Sequence, residues 1–441
     1  MGNYSVPEEI RKLKPKGTMV KKLKGKYYVY EYFCVKADDG KWKTKMGKMV
    51  GHINAEYGFT PIGQKIINSN ISTFQYGEYA VVVNNTSNVL DLLKNHFAYE
   101  DAYRIYILAL INYVNDYTYI KNIDTLFKQS YLSIDYSDLK FGYASITNLL
   151  DGLGRKETGV YDLTKELTEN SSKQLAIDGH AIKSCSNDNE LSAKGNKILS
   201  FKSEQMNLLM AYDINTNKPI LSKMYPGNVL DKISIKDVID TYEFKDTLFI
   251  VDIGFYSKDN LKLFTSNKNH YIIPLSVNYS NYKAVTKSHE YDDEFIYSVN
   301  KKASLIKYRE IIVNGKKIVS LFDVNANTKE CADYLSKIDE VKYTREKYEE
   351  YKNTFGLLVL ETSLVDLSAK EIYELYKKRW KIETYYNFLK NDIDFNELRQ
   401  SDYYIIQGLS FIFLIVGLIH YEMKQSCKEV KGKTINDILL E

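Results

Sequence analysis

The chain is short of the residues on which several kinds of function depend. Its four cysteines (Cys34, Cys185, Cys331, Cys427) lie far apart in 441 residues, with no C-x-x-C pair. That argues against a disulfide framework and a cysteine-built zinc site, and it fits a reducing cytoplasm. Histidine is almost as sparse, with six residues (His52, His96, His180, His270, His289, His420). None has arginine three positions on, so the His-x-x-Arg box of a tyrosine recombinase is missing. No two share a helical turn, which leaves a zinc hydrolase without its usual ligands. His180, close after Asp178, suits a structural role better than contact with metal or DNA. The opening "MGNYSVPEEIRKLKPKG" lacks the apolar stretch of a secretory signal. Internal repeats and low-complexity tracts are also absent.

What is present is ordinary in bulk. Hydrophobic residues make up 44% and charged residues 27%, which places the chain among soluble globular proteins rather than disordered or fibrous ones. Its length implies two to four domains. One run, Tyr404–Met423, approaches membrane-spanning length, but Gln407, Ser410 and His420 interrupt it. A buried core helix is expected there, and no membrane partner.

The charge is unevenly spread. Residues 1–54 hold 13 Lys and Arg against five acids, a local +8 in a chain of net +3, so the remainder is −5. Such polarity suggests a basic arm for a polyanion. Within it, residues 26–53 alternate aromatic, apolar and polar side chains around a "KADDGK" turn, the pattern of a small antiparallel sheet. Lys41, Lys43 and Lys45 are expected on one strand face, with Trp42 and Thr44 on the other. A basic, aromatic-studded sheet suits a DNA backbone or groove, while a lysine-lined edge that blocks aggregation is the plainer reading.

Farther on, residues 64–170 read as helical, a DNA-binding or interface region without a helix-turn-helix signature. From Lys173 the texture is α/β: a strand "KQLAID", a hairpin around Asn215–Lys218, a helix near Ile233–Tyr242 and an apolar strand ending at Asp252. A helix over Ser257–Ser266 and a strand over His270–Leu275 follow. This order resembles the core of an RNase H-like domain. Residues 276–352 interrupt it with a β-rich piece, including a hairpin at Asn314–Gly315, and a charged helix. Core texture returns with the strand "FGLLVLETS" and one long helix capped by Ser368. The expected fold is therefore α/β and multidomain: a small N-terminal sheet (1–63), the helical region (64–170), an RNase H-like core in two parts (171–275 and 353–430), the mainly β insertion between them, and a tail (431–441).

Two aspartates, Asp178 and Asp252, are expected at strand ends, where carboxylates can present the oxygen ligands that Mg²⁺ or Mn²⁺ prefer. A third acid, Glu383, lies on the long helix. At about 100° per residue, Tyr376, Arg379, Glu383 and Lys390 fall within an arc of roughly 60°. An acid between a guanidinium and an ammonium suits a site that meets both metal and phosphate. Taken alone, the same spacing describes an Arg–Glu pair on a solvated helix face.

Tyr-x2-Arg-x3-Glu-x6-Lys is the YREK signature, and this stretch resembles that of the insertion-sequence-four family of bacterial DDE transposases. "IDGHAI" and "VDIGFYS" resemble the family's two aspartate segments, and "PGNVLD" (Pro226–Asp231) its Gly-Asn-x-x-Asp element. The resemblance covers about residues 173–425. It departs at Ile253, where the family often carries a polar or basic residue. What it implies is cut-and-paste DNA transposition, with Asp178, Asp252 and Glu383 holding two Mg²⁺ (or Mn²⁺) ions. One ion would activate water or a 3′-hydroxyl, and the other would stabilise the leaving oxygen. Arg379 and Lys390 would hold terminal phosphates, Tyr376 would pack or hydrogen-bond beside them, and the insertion would touch end DNA. The implied partners are double-stranded DNA and a second copy of the chain, in the bacterial cytoplasm at the nucleoid. Two alternatives remain: an RNase H-like endonuclease without strand transfer, and a transposase-derived DNA-binding repressor.

Overall fold

The structure is a computed structural model. It describes residues 6–37, 39–62, 73–155, 158–186, 188–195, 204–229, 231–288, 290–338 and 343–427. The expected tail, 431–441, lies outside these, as do His289 and Leu230 of the "PGNVLD" element. The chain divides into two compact units, Met1–Thr73 and Phe74–Glu441. The boundaries expected at 170, 275 and 352 all fall inside the second.

In the first unit, helix α1 (Glu8–Lys12) precedes an antiparallel sheet of β1 (Thr18–Leu23), β2 (Lys26–Lys36), β3 (Trp42–Asn54) and β4 (Gly58–Pro61), paired in chain order. Its core is small, built on Ile10, Val29 and Ile53. The outer half of the β2–β3 ribbon lacks a packed face: Tyr32, Phe33, Trp42 and Met46 are all exposed. Pairing sets Val35 and Phe33 opposite Lys43 and Lys45, and sets Lys36, Cys34 and Tyr32 opposite Trp42, Thr44 and Met46. One face thus carries Lys43 and Lys45 beside Phe33 and Val35, and the other carries Trp42, Met46 and Tyr32 beside Lys36. Lys41 is not on the strand. It sits in the preceding turn, its N–H donating to Asp39 Oδ1 at 3.2 Å, so only Lys43 and Lys45 share the expected face.

The second unit opens with helices α2 (Gly77–Asn85), α3 (Ser87–His96), α4 (Tyr99–Val114), α5 (Ile120–Gln129), α6 (Leu132–Asp135), α7 (Tyr143–Gly154) and α8 (Thr158–Glu169). From Ile105 to Tyr113, α4 is buried without a break, as expected of a helix apolar on every side.

The α/β part follows: β5 (Gln174–Ser184), β6 (Gln205–Asp213), β7 (Lys218–Pro226), α9 (Asp231–Tyr242), β8 (Leu248–Val251), α10 (Lys258–Leu263), β9 (His270–Pro274) and α11 (Ser280–Thr286). Next come β10 (Asp293–Val299), β11 (Lys302–Val313), β12 (Lys316–Asp323), α12 (Val324–Leu335), α13 (Arg345–Tyr351) and β13 (Leu357–Thr362). The chain then forms α14 (Ala369–Lys378), α15 (Trp380–Asn387), β14 (Glu397–Leu398) and α16 (Tyr403–Cys427). One ten-stranded sheet runs in the order β10-β11-β12-β13-β9-β8-β5-β6-β7, with β14 pairing β5. β5, β6 and β7 are antiparallel neighbours, and β5, β8 and β9 are parallel ones.

The strands of the expected insertion therefore extend the main sheet. β12 pairs β13, which pairs β9. A buried carboxylate ties this join together. Glu361 on β13 is fully buried and accepts from Tyr271 Oη at 2.8 Å, Asn281 Nδ2 at 3.0 Å and Lys316 Nζ at 3.1 Å. Its donors come from β9, α11 and β12, so the charge is compensated only when all three are in place. The Asn314–Gly315 turn has positive φ at both residues (50° and 73°), which the type I′ hairpin turn requires.

The long apolar helix α16 meets the length and composition of a membrane span, yet it packs inside the protein against α4, α7 and β7. The polar residues that interrupt it dock there. Gln407 donates to Met224 O at 2.7 Å and accepts from Met224 N at 3.2 Å, and Ser410 meets Ser222 at 3.0 Å. Burial holds His420 neutral, its pKa pushed down to about 3. Where α16 crosses α7, a Cβ on Gly408 would lie 2.1 Å from Leu150 O, and one on Gly154 would lie 1.8 Å from Tyr404 O. Gly408→Ala should therefore destabilise the protein by about 1–3 kcal/mol. The midpoint of urea unfolding would report it, and an unchanged midpoint would show that the helices part freely.

Candidate active site

Pairing between β5 and β8 places the two aspartates. The parallel register ends at Ile177↔Val251, so Asp178 and Asp252 are the next residues on neighbouring strands. Neighbouring strands lie about 4.8 Å apart, and residues in parallel register point to the same face. Asp252 follows β8 and caps the 3₁₀ turn Ile253–Phe255, accepting from Ile253 N at 2.8 Å. Asp178 is not at a strand end, contrary to expectation. β5 continues through it because β6 pairs onward, from Asp178↔Met210 to Lys183↔Gln205. The Oδ1 of Asp178 accepts from Gly179 N at 2.9 Å, while its Oδ2 faces the helix opposite.

That helix starts as expected, with Ser368 and Glu371 forming a reciprocal capping box. It does not continue as a single α-helix to Lys390. The ladder tightens at Arg379, where Arg379 N bonds Tyr376 O and Ile382 N bonds Arg379 O, each at 3.0 Å. It then loosens into a π turn over Phe388–Asp392. Such irregularities recur at functional sites.

The tight turn keeps Arg379 and Glu383 together. Arg379 Nη1 lies 3.5 Å from Glu383 Oε1 and 3.8 Å from Asp178 Oδ2. Its side chain is only 13% exposed, and Nη1 is buried without a hydrogen-bond partner among the described residues. Burial works against its charge, but Tyr376, Asp252, Asp178 and Glu383 outweigh that and hold the guanidinium pKa above its ordinary value. All three acids therefore act on one cation. Its Cζ lies 5.8 Å from the centre of the Tyr376 ring. Burial pushes the Tyr376 hydroxyl up to about 12, opposed by Arg379 and reinforced by Asp252 and Asp178. Lys390, on the π turn, is exposed and makes no ion pair among the described residues. Lys41, Lys43 and Lys45 are exposed residues of the first unit.

Three residues outside the expected set belong to this neighbourhood. Tyr386 is buried beneath it, its hydroxyl donating to the backbone oxygen of Asp178 at 2.7 Å and reaching that of Leu208 at 3.3 Å. Burial, and then the charges of Asp178 and Asp231, raise its pKa far above the usual phenol range. His180 stacks on its ring at 4.9 Å. Asp231, the last residue of "PGNVLD", stands beside the Asp252 loop: a Cβ on Gly254 would lie 3.2 Å from its Oδ2.

The acids offer only hard carboxylate oxygens, which suits Mg²⁺ or Mn²⁺ in donor chemistry. Among the described residues, however, no three acidic, histidine or cysteine side chains are gathered closely enough to hold an ion as they stand. The Arg379 guanidinium pairs with two of the acids instead. Because Tyr386 fixes the Asp178 backbone, Tyr386→Phe should cost about 1–2 kcal/mol. Thermal denaturation would measure this, and unchanged stability would remove Tyr386 from the supporting shell.

Comparison with known proteins gives the family. A solved piggyBac transposase synaptic complex with hairpin DNA is 12% identical, with a TM-score of 0.40, and the match covers 85% of this chain and 80% of that one. No curated protein matches. The family described as a transposase DDE domain matches residues 169–403. That match takes in Asp178, Asp252 and Glu383 and spans more than half of the sequence, so the chain belongs to the transposase DDE domain family.

Proposed function

We propose that this DDE transposase is a cut-and-paste enzyme of the insertion-sequence-four type, in which Asp178, Asp252 and Glu383 are the metal-holding acids of an RNase H-like core. The observation that carries this is the convergence of Asp178 and Glu383 on one Arg379 nitrogen, with Asp252 beside Asp178 in strand register. Three antiparallel strands followed by two parallel ones support the RNase H-like reading. When bound at these acids, Mg²⁺ or Mn²⁺, two ions per site, would polarise the scissile phosphate and lower the pKa of the attacking oxygen.

The chain's own groups do the rest. Arg379 can grip phosphate through two parallel N–H donors, one of which is unsatisfied. Tyr376 keeps its proton at any working pH, so it donates a hydrogen bond and adds no negative charge beside DNA. Lys390 supplies a cation for a phosphate farther along the strand. Tyr386 anchors the Asp178 backbone. The face of the β2–β3 ribbon that carries Lys43 and Lys45, with Lys41 in its turn, would hold end DNA. The partners are then transposon ends, target DNA and a second copy of the chain, in a bacterial cytoplasm.

Glu383→Gln should abolish metal-dependent cleavage and strand transfer while leaving DNA binding largely intact. Full activity in that variant would sink the assignment, and cut but unjoined products from the wild type would favour an endonuclease. Replacing Lys41, Lys43 and Lys45 together with Ala should weaken binding regardless of sequence. It should also flatten the slope of log affinity against log salt by about 0.9 for each phosphate the ribbon no longer neutralises. An unaltered slope would take the ribbon out of the interface.

A further inference from the structure

Arg379 stands among the acids on unusual terms. Its Nη1 is close enough to Asp178 and Glu383 for ion pairing, at 3.8 and 3.5 Å, but too far for a hydrogen bond to either. It is buried and has no other acceptor among the described residues. That nitrogen is thus held by charge, its donor left over, while Tyr376 bonds the guanidinium beside it. Guanidinium keeps its proton at any accessible pH, so it cannot leave the cluster by being neutralised. It can leave only by moving to another anion. The 3₁₀ turn that carries it, between two α-helical segments, is the part of the helix best able to let it move.

We infer that Arg379 is a guard on the cation site, pairing with Asp178 and Glu383 in the DNA-free protein and releasing them to a divalent metal when a DNA phosphate takes its guanidinium. This rests on the reading of Asp178, Asp252 and Glu383 as the metal-holding acids. The exchange favours both new pairs. Phosphate offers Arg379 short, charge-assisted hydrogen bonds in place of contacts beyond hydrogen-bond range. The carboxylates exchange a distant monovalent charge for a dication that binds oxygen directly. A guanidinium and a dication on the same oxygens repel each other, so neither exchange is favourable without the other. Metal loading and DNA docking are therefore thermodynamically linked, and each tightens the other by the same factor.

The test uses the full chain, Mn²⁺ as probe, and electron paramagnetic resonance of free Mn²⁺ as readout, with and without a short DNA duplex whose own Mn²⁺ uptake is subtracted. Duplex should tighten Mn²⁺ binding to the wild type by about tenfold or more. Arg379→Gln should bind Mn²⁺ tighter by a similar factor without DNA, and duplex should add little. Arg379→Lys, which keeps the charge, should retain the dependence on DNA. Equal Mn²⁺ affinity of wild type and Arg379→Gln without DNA would overturn the guard, as would a wild-type affinity indifferent to duplex. The second measurement needs no variant to fold. Asp178→Asn and Glu383→Gln separate the two levels. If they leave Mn²⁺ binding unchanged, the metal-site reading itself fails; if they lose it while Arg379→Gln behaves as wild type, only the guard fails.

Discussion

The parallel pairing of β5 with β8 is the constraint on which the cleft depends. Its last register pair, Ile177 with Val251, sets Asp178 and Asp252 side by side on neighbouring strands. Two carboxylates at strand spacing repel, and that repulsion is offset by main-chain hydrogen bonds and the apolar residues of both strands. Leu175, Ala176 and Ile177 on one strand and Phe249, Ile250 and Val251 on the other are all completely buried. A slip of one residue between these strands would turn one aspartate toward the opposite face.

A permanent cation then becomes the natural third party. Asp178, Asp252 and Glu383 all act on Arg379, and its own burial is tolerable only because they do. Beneath it the support is indirect. Tyr386 holds the Asp178 main chain, His180 lies flat on the Tyr386 ring, and Asp231 closes the side toward Gly254. The site is a charge balance mounted on two interior strands of the sheet, with its adjustable member on the helix.

Much of this was legible because it is local. The Asn314–Gly315 turn needs only the backbone freedom of those two residues, and the Ser368 cap needs only Glu371 three positions on. The apolar strand before Asp252 and the buried helix after Tyr403 declared themselves by composition. The acids and Arg379 were legible as a set because helical spacing and two aspartate segments occur together. What was hidden depends on partners remote in sequence. β5 runs past Asp178 because β6 extends its pairing. The helix tightens at Arg379 and widens near Lys390, so it is not the ideal helix from which the stripe was drawn. The insertion joins the main sheet through Glu361, whose donors come from three other elements. Tyr386 is one of 39 tyrosines, and nothing in its neighbours marks it out.

The crossing of α7 and α16 carries a consequence for how this lineage can change. Most tight contacts in a core lie between side chains, so a larger residue on one helix can be answered by a smaller one on the other. At Gly154 and Gly408 the obstacle is the main-chain oxygen of Tyr404 and of Leu150. Every amino acid carries that oxygen, so no second substitution can make room. Drift that is free elsewhere in this apolar interior is closed at these two positions, and relatives that lack either glycine must have moved the helices apart.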